Sequence, residues 1–128
     1  MKTLVIGATG TVGSNVVREL LARKAQVRVL TRSADKTKSL TGVESVVGDL
    51  GEPGTLGPAF DGVDGVFMLN PVSKTETHEG LMGINGARAA KVKRFVYMSV
   101  HHADRDPLIP HFASKLPAEG ALKASGIP

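Results

Sequence analysis

The sequence predicts an α/β fold in which helices connect the strands of a parallel sheet, and three observations support this prediction. Short runs of β-branched residues alternate with longer stretches whose apolar residues recur at helical spacing. The first run, Thr3–Ile6, is continuous rather than alternating, as expected for a parallel strand buried on both faces. A glycine-rich segment follows this strand directly and opens the first helical stretch.

Five strands and three main helices are predicted along the chain. The strands are expected at 3–6, 27–30, 43–47, 63–69 and 95–99, and the helices at 12–23, 76–90 and 115–125. The segment 51–60 contains three glycines and two prolines, so any helix there is expected to be short or distorted. Pro117 disfavours a helical conformation at Leu116. Strands that alternate with helices form a parallel sheet with right-handed crossovers.

Composition narrows the class of protein. A chain of 128 residues predicts one domain spanning 1–128, and no apolar run reaches the roughly 18 residues of a membrane span. The absence of cysteine excludes disulfides, zinc–thiolate sites and thiol nucleophiles, and with the lack of a signal segment it favours the cytoplasm. The net charge is +4, but aromatic residues make up only 4% of the chain, so direct nucleic-acid binding is not expected.

The glycine-rich segment is the strongest functional signal. Gly7 permits a tight turn out of the first strand, Gly10 lets a pyrophosphate approach the backbone, and Gly13 allows the helix to pack closely on the sheet. The free N–H groups and the positive end of the helix dipole then face the phosphates. The pattern therefore predicts a Rossmann-type doubly wound sheet, with strand order 3-2-1-4-5, that binds a dinucleotide.

The end of the second strand indicates which dinucleotide is bound. Sites for NAD usually carry an acidic residue about 20 residues beyond the loop, where it binds the ribose hydroxyls. Here Arg32 and Ser33 end the strand, and no acid occurs before Asp35. A guanidinium suits the 2′-phosphate of NADP, although an arginine at a strand end can also be simply solvated. The sequence favours NADP(H), with NAD(H) less favoured.

The chain resembles the NmrA-like group of the atypical short-chain dehydrogenase/reductase superfamily, which includes quinone and triphenylmethane reductases. The matching stretches, in the family's order, are VIGATGTVGSNVVRELL, VRVLTR, VVGDL, GVDGVFML, KRFVYMSV and HFASK. Proteins of this group are typically about twice as long. The resemblance therefore implies that 1–128 is the N-terminal portion of a longer chain, truncated before the sixth strand. It leaves open a homodimer that covers the exposed sheet edge.

The resemblance places the cofactor contacts at the carboxyl ends of the strands. It implies pyrophosphate contacts in the glycine loop, a phosphate contact after the second strand, adenine contacts after the third, and ribose and phosphate contacts after the fourth. In that order, the residues are Thr9, Gly10, Thr11 and Val12; Arg32; Asp49 and Leu50; and Met68, Leu69 and Asn70.

Catalytic residues are implied at the end of the fifth strand and beyond it. Ser99 occupies the place of the superfamily's catalytic serine. In the Tyr-x-x-x-Lys pair, tyrosine is the general acid and lysine binds the nicotinamide ribose; here Lys115 is present, but His111 stands in place of the tyrosine. The residues leave open whether His111 donates a proton or only fills the position. Tyr97, in the fifth strand, is not expected to replace the missing tyrosine.

The resemblance implies one of two activities. The first is an NADPH-dependent reductase that passes hydride to a small quinone-like acceptor, and the second is a non-catalytic NADP-sensing protein. No metal site is expected. The candidate ligands are His101, His102, Asp104, Asp106 and His111. Two prolines among them break up regular ligand spacing, and adjacent histidines rarely bind the same ion.

Overall fold

The structure is a computed structural model that describes residues 1–70, 73–99, 108–109 and 113–128. The strands in these ranges are β1 (Lys2–Ile6), β2 (Gln26–Thr31), β3 (Glu44–Val47), β4 (Gly65–Met68) and β5 (Arg94–Tyr97). The helices are α1 (Thr11–Ala22), α2 (Gly57–Phe60), α3 (Glu76–Ala89) and α4 (Leu116–Ala124), with 3₁₀ turns at Ala34–Thr37 and Pro53–Thr55.

The sheet confirms the predicted fold class. Its five strands lie in the order β3-β2-β1-β4-β5, and every neighbouring pair is parallel. The predicted strands are present, although β4 and β5 each end earlier than expected. The glycine- and proline-rich segment 51–60 forms only a 3₁₀ turn and the four-residue helix α2, as the composition predicts.

The expectation that Pro117 disfavours helix at Leu116 is wrong. Helix α4 begins at Leu116, and its proline lies in the first turn. In the first turn a backbone N–H has no partner inside the helix, so proline is tolerated there.

Apolar side chains form one cluster on each face of the sheet. The larger cluster packs the sheet against α2, α3 and α4, and it includes Leu4, Val66 and Ile84. The smaller cluster packs Val5 and its neighbours in β2 against α1. Strand β1 is therefore buried on both faces, which explains its continuous apolar run.

The outer strand β5 is covered on one face only. Phe95 is buried in the larger cluster, whereas Val96 is 50% exposed and Met98 is 41% exposed. Val96 is paired with Phe67, which packs with the α1 cluster, so the exposed side chains lie on the α1 side of the sheet. In the part of the chain that the structure describes, no helix has the length and apolar character needed to cross a membrane.

Arg28 joins β2, β3 and α2 on the face of the sheet opposite α1. Arg28 is only 7% exposed. Its guanidinium donates hydrogen bonds to the backbone carbonyls of Pro58, Ala59 and Asp61 at the end of α2. It also donates to the Glu44 carboxylate on β3 at 3.1 Å. Hydrogen bonds from Arg28 and then Lys2 hold the pKa of Glu44 below its usual value.

Helix α1 lies unusually close to the turn that follows β1. A Cβ atom added at Gly13 would collide with the carbonyl oxygen of Gly7, whereas one added at Gly10 would lie at an ordinary 3.6 Å from the same atom. Glycine is therefore required at position 13 for packing, as the sequence predicts.

We expect Gly13→Ala to lower the free energy of unfolding by about 1–3 kcal/mol, because the added methyl forces α1 away from the turn. Gly10→Ala is the matched control, since it adds the same methyl three residues earlier without a collision. Chemical denaturation of both variants measures the difference. Equal stability of the two variants would contradict the close packing.

Candidate functional site

A cavity of about 920 Å³ lies at the carboxyl edge of the sheet. Its walls are formed by the turn after β1 and by the segments that follow β2, β3, β4 and β5. Ligands of open parallel sheets bind at this edge, where the connections on either side of the first strand diverge. The location therefore makes this cavity the candidate binding site.

The glycine loop forms the centre of the cavity wall. Gly7 has a φ of +91°, and a side chain there would collide with the carbonyl of Leu69. Gly10, in contrast, has an extended backbone (φ −78°, ψ 173°) that any residue can adopt. Because the fold tolerates a side chain at position 10, the open space beside Gly10 is a property of the cavity rather than a requirement of packing.

The N-terminus of α1 meets this open space. Among the described residues, no side chain caps the helix, and its first turn contains no acidic residue. A 12-residue helix directs backbone N–H groups and the positive end of its dipole beyond its N-terminus. An anion in the cavity would supply the acceptor that this helix end otherwise lacks.

Two cations line the cavity after β2. The hydroxyl of Thr31 donates to the carbonyl of Ser33 at 2.6 Å and accepts from its backbone N–H at 3.1 Å, which fixes the turn. Arg32 extends from this turn to the cavity, and Lys36 joins it from the following 3₁₀ turn. Sequence reasoning missed Lys36, because its place in the cavity wall depends on how the chain turns back after β2.

The segment after β3 is fixed by a small hydrogen-bond network. The backbone N–H of Asp49 donates to the hydroxyl of Thr55 at 2.9 Å, and the Asp49 carboxylate accepts from the N–H of Gly51 at 2.8 Å. Asp49 and Leu50 both line the cavity. These bonds fix the segment, and the backbone N–H of Gly48 joins it to the end of β2 by donating to the Thr31 carbonyl at 2.9 Å.

Buried polar side chains line the other end of the cavity, near the ends of β4 and β5. Asn70 is 1% exposed and Lys115 is 2% exposed, and Ser99 lies two residues beyond β5. The Asn70 side-chain oxygen and the Ser99 hydroxyl are buried without a hydrogen-bond partner among the described residues. Unpaired buried polar atoms are costly, and a polar ligand would satisfy them.

Lys115 forms a buried ion pair with a residue that sequence reasoning did not consider. Its ammonium lies 2.6 Å from the carboxylate of Glu76, which is 1% exposed and is the first residue of α3. The hydroxyl of Ser114 donates to the other carboxylate oxygen at 2.8 Å. The interaction joins the segment before α4 to the start of α3 beneath the cavity.

Tyr97 packs against the same ion pair. The ammonium of Lys115 lies 5.4 Å from the centre of the Tyr97 ring, within the range of a cation–π interaction. Burial, followed by the negative charges of Glu76 and Glu119, raises the pKa of Tyr97 to about 12. Tyr97 does not line the cavity, so the structure gives it no contact through which to replace the missing tyrosine.

The structure brings most of the predicted site residues together. The predicted residues that line the cavity are Gly7, Thr9, Gly10, Val12, Arg32, Asp49, Leu50, Leu69, Asn70, Ser99 and Lys115. The predicted residues that do not line it are Thr11, Gly13, Ser33 and Met68. Gly13 is buried under the loop, and Met68 is fully buried. The Met68 sulfur packs so closely on Gly83 of α3 that a Cβ atom added at Gly83 would collide with it.

Several sequence predictions fall outside the described residues. They include His111, the candidate proton donor, and the polar segment considered and set aside as a metal site, with His101, His102, Asp104 and Asp106. Residues of the cavity wall that were not predicted include Ser73, Thr75 and Glu79 at the start of α3. No local motif marks them, because they reach the cavity only through the docking of α3.

Comparison with known proteins identifies relatives over the whole chain. The model of the NmrA-like family matches residues 1–128. An NAD(P)H azoreductase of Xenophilus azovorans is 43% identical over 95 residues, covering 73% of this chain and 33% of that protein. The photosystem II assembly factor Ycf39 of Cyanophora paradoxa is 33% identical over 137 residues, covering 99% of this chain and 43% of the relative.

Solved structures share the fold. The triphenylmethane reductase of Citrobacter sp., determined in complex with NADP(H), superposes with a TM-score of 0.88 at 28% sequence identity. The match covers 98% of this chain and 46% of that protein. The chain thus spans less than half the length of each of these three relatives.

We expect the phenol of Tyr97 to titrate near pH 12 in the native protein and near pH 10 in the unfolded chain. A raised native pKa favours the neutral phenol, so its contribution to stability is complete below pH 10 and is lost as the pH rises towards 12. Tyr97 is the chain's one tyrosine and there is no tryptophan. Ultraviolet absorbance of tyrosinate therefore reports this group alone.

The Tyr97→Phe variant is the control for this titration. It should show no tyrosinate signal, and its unfolding free energy should fall less between pH 10 and pH 12 than that of the wild type. Titration of the native protein at the same pH as the unfolded chain would contradict the buried position of the phenol.

Proposed function

Because this chain belongs to the NmrA-like family, we propose that it is the NADP(H)-binding part of a reductase that passes hydride from NADPH to a quinone-like or other small acceptor. The supporting observation is the open space beside Gly10 at the uncapped N-terminus of α1. A pyrophosphate fits both features: it accepts from the free N–H groups and occupies the space that a side chain would fill.

The two ends of the cavity match the two ends of an extended dinucleotide. Strands β2 and β5 are separated by β1 and β4, so the ends of β2 and β5 are roughly 14 Å apart at the usual strand spacing. Arg32 and Lys36 lie at the first end and supply two positive charges for a 2′-phosphate. Asp49 and Leu50 would flank the adenine, and Leu69 and Asn70 would contact the adenosine ribose.

The opposite end contains the residues proposed for chemistry. NADPH, when bound, supplies a hydride. Ser99 and Lys115 line this end of the cavity. The Ser99 O–H group would stabilise negative charge that develops on an acceptor oxygen, and the Lys115 ammonium would bind the nicotinamide ribose. Reduction of a quinone-like acceptor needs little general acid catalysis, since the product oxyanion can take its proton from water. The absence of tyrosine at position 111 is compatible with such an acceptor.

The relationship to Ycf39 supports a second candidate function. That relative is named as an assembly factor and aligns with nearly the whole chain. A protein of this second kind would bind NADP(H) and change its protein contacts without turnover. Turnover separates the candidates: a reductase oxidises NADPH when a quinone or dye is added, whereas a sensor binds the cofactor and does not consume it.

We expect Gly10→Val to abolish detectable NADPH binding while the protein stays folded, because the side chain occupies the pyrophosphate space. Calorimetry measures the binding, and circular dichroism reports the fold. Gly54→Val is the matched control, since a Cβ atom there would meet no atom within 4 Å and Gly54 does not line this cavity. Unchanged NADPH affinity in folded Gly10→Val would overturn the proposed phosphate site.

We expect Arg32→Ala to weaken NADPH binding by about ten- to a hundredfold, since a hydrogen bond to a charged group contributes about 1.5–3 kcal/mol. Affinity for NADH, which has no 2′-phosphate, should change little. The control is Arg18→Ala, which removes the same charge from the exposed surface of α1, where Arg18 donates to Asn15. Equal binding of NADPH and NADH by the wild type would contradict this role of Arg32.

A further inference from the structure

Burying the ion pair between Lys115 and Glu76 costs desolvation free energy, although the pair joins two helical segments. Both side chains are almost completely removed from water, at 2% and 1% exposed. Desolvation of two such charges often exceeds their attraction, and apolar residues of similar size frequently stabilise a fold as well or better. The pair lies at the cavity, where Lys115 is a lining residue and Glu76 is not. Its location suggests a role in binding.

We infer that Glu76 is a positioning residue: its carboxylate holds the Lys115 ammonium at the β4–β5 end of the cavity, where that ammonium binds the nicotinamide-side ribose of the cofactor. This inference rests on the proposed function and extends it to a residue of α3 that does not itself line the cavity. Glu76 would act only through Lys115.

The Glu76 carboxylate is held from more than one side. Ser114 donates to one carboxylate oxygen at 2.8 Å, and the Asn70 side-chain amide donates to the Glu76 backbone carbonyl, also at 2.8 Å. Glu76 begins the 14-residue helix α3, whose dipole favours a negative charge at this end. The carboxylate is thus a fixed anchor rather than a mobile surface group.

The Lys115 ammonium is in turn held on several sides. It lies 2.6 Å from the carboxylate, 3.4 Å from the backbone carbonyl of Asn70, and 5.4 Å from the centre of the Tyr97 ring. An ammonium carries three N–H donors. Within the described part of the chain, the ammonium donates one hydrogen bond, to the Asn70 carbonyl, and contacts the Glu76 carboxylate as an ion pair, so a donor remains for a ligand hydroxyl. The same Asn70 that fixes Glu76 also contacts Lys115.

The test separates the two ends of the ligand. The probes are NADPH and adenosine 2′,5′-bisphosphate, which carries the adenosine and the 2′-phosphate but no nicotinamide ribose. We expect Glu76→Gln to weaken NADPH binding by about ten- to a hundredfold, the value of one hydrogen bond from a charged donor. Its affinity for the bisphosphate should stay within about twofold of the wild type, because Arg32 and Lys36 are untouched. Calorimetry measures both affinities.

Two further variants complete the experiment. Lys115→Met should show the same selective loss, and Glu76→Gln/Lys115→Met should lose no more than Lys115→Met alone, since Glu76 acts through the lysine. The double variant removes both buried charges of this ion pair and is therefore expected to fold. If Glu76→Gln fails to fold, Glu76→Asp keeps the charge and withdraws it by one methylene, and the same selective loss is expected.

Two outcomes would overturn the inference. Equal loss of both ligands in a folded Glu76 variant would mean that the pair only supports the fold, and unchanged NADPH affinity would mean that Lys115 needs no anchor. Wild-type protein that binds neither ligand contradicts the proposed function itself, and the inference with it. If the wild type binds both ligands and a Glu76 variant then gives either of the first two outcomes, the inference is overturned but the proposed function is not.

Discussion

Gly13 lies so close to the carbonyl of Gly7 that no side chain fits between them, and this contact fixes the start of α1 against the end of β1. Because β1 is the central strand and is buried on both faces, the helix cannot tilt without disturbing the whole sheet. The uncapped N-terminus of α1 is consequently held at the middle of the carboxyl edge. The other walls of the cavity are arranged around that point.

The two ends of the cavity are organised by different interactions. Near β2, backbone turns fix the chain, and the cations Arg32 and Lys36 remain accessible for a phosphate. Near β4 and β5, a buried ion pair and the side chain of Asn70 connect the end of β4, the start of α3 and the distant segment before α4. The first arrangement depends on local conformation, whereas the second exists only when α3 and α4 have docked.

That difference explains what could be predicted from the sequence. The strands, the parallel arrangement and the role of Gly13 follow from periodicity and short-range spacing, and the structure confirms them. Glu76 was missed because it reaches its position only when α3 and α4 dock. Lys36 was missed because its place in the cavity wall depends on the turn after β2, which no recognisable spacing marks. The sequence predicts a cofactor contact for Met68, but this residue ends β4 with its side chain buried in the core. Leu69 and Asn70, which follow it, line the cavity.

Arg28 has a consequence for the order of folding. Its guanidinium bonds partners 16 residues away on β3 and 30 to 33 residues away at the end of α2. Burial of a charged group is costly until these partners are assembled, so we expect β3 and α2 to complete their docking together. Strand β3 is four residues long and mostly exposed, and it shares this partner with α2. We therefore expect the two to form one cooperative unit, whose amide protons exchange together.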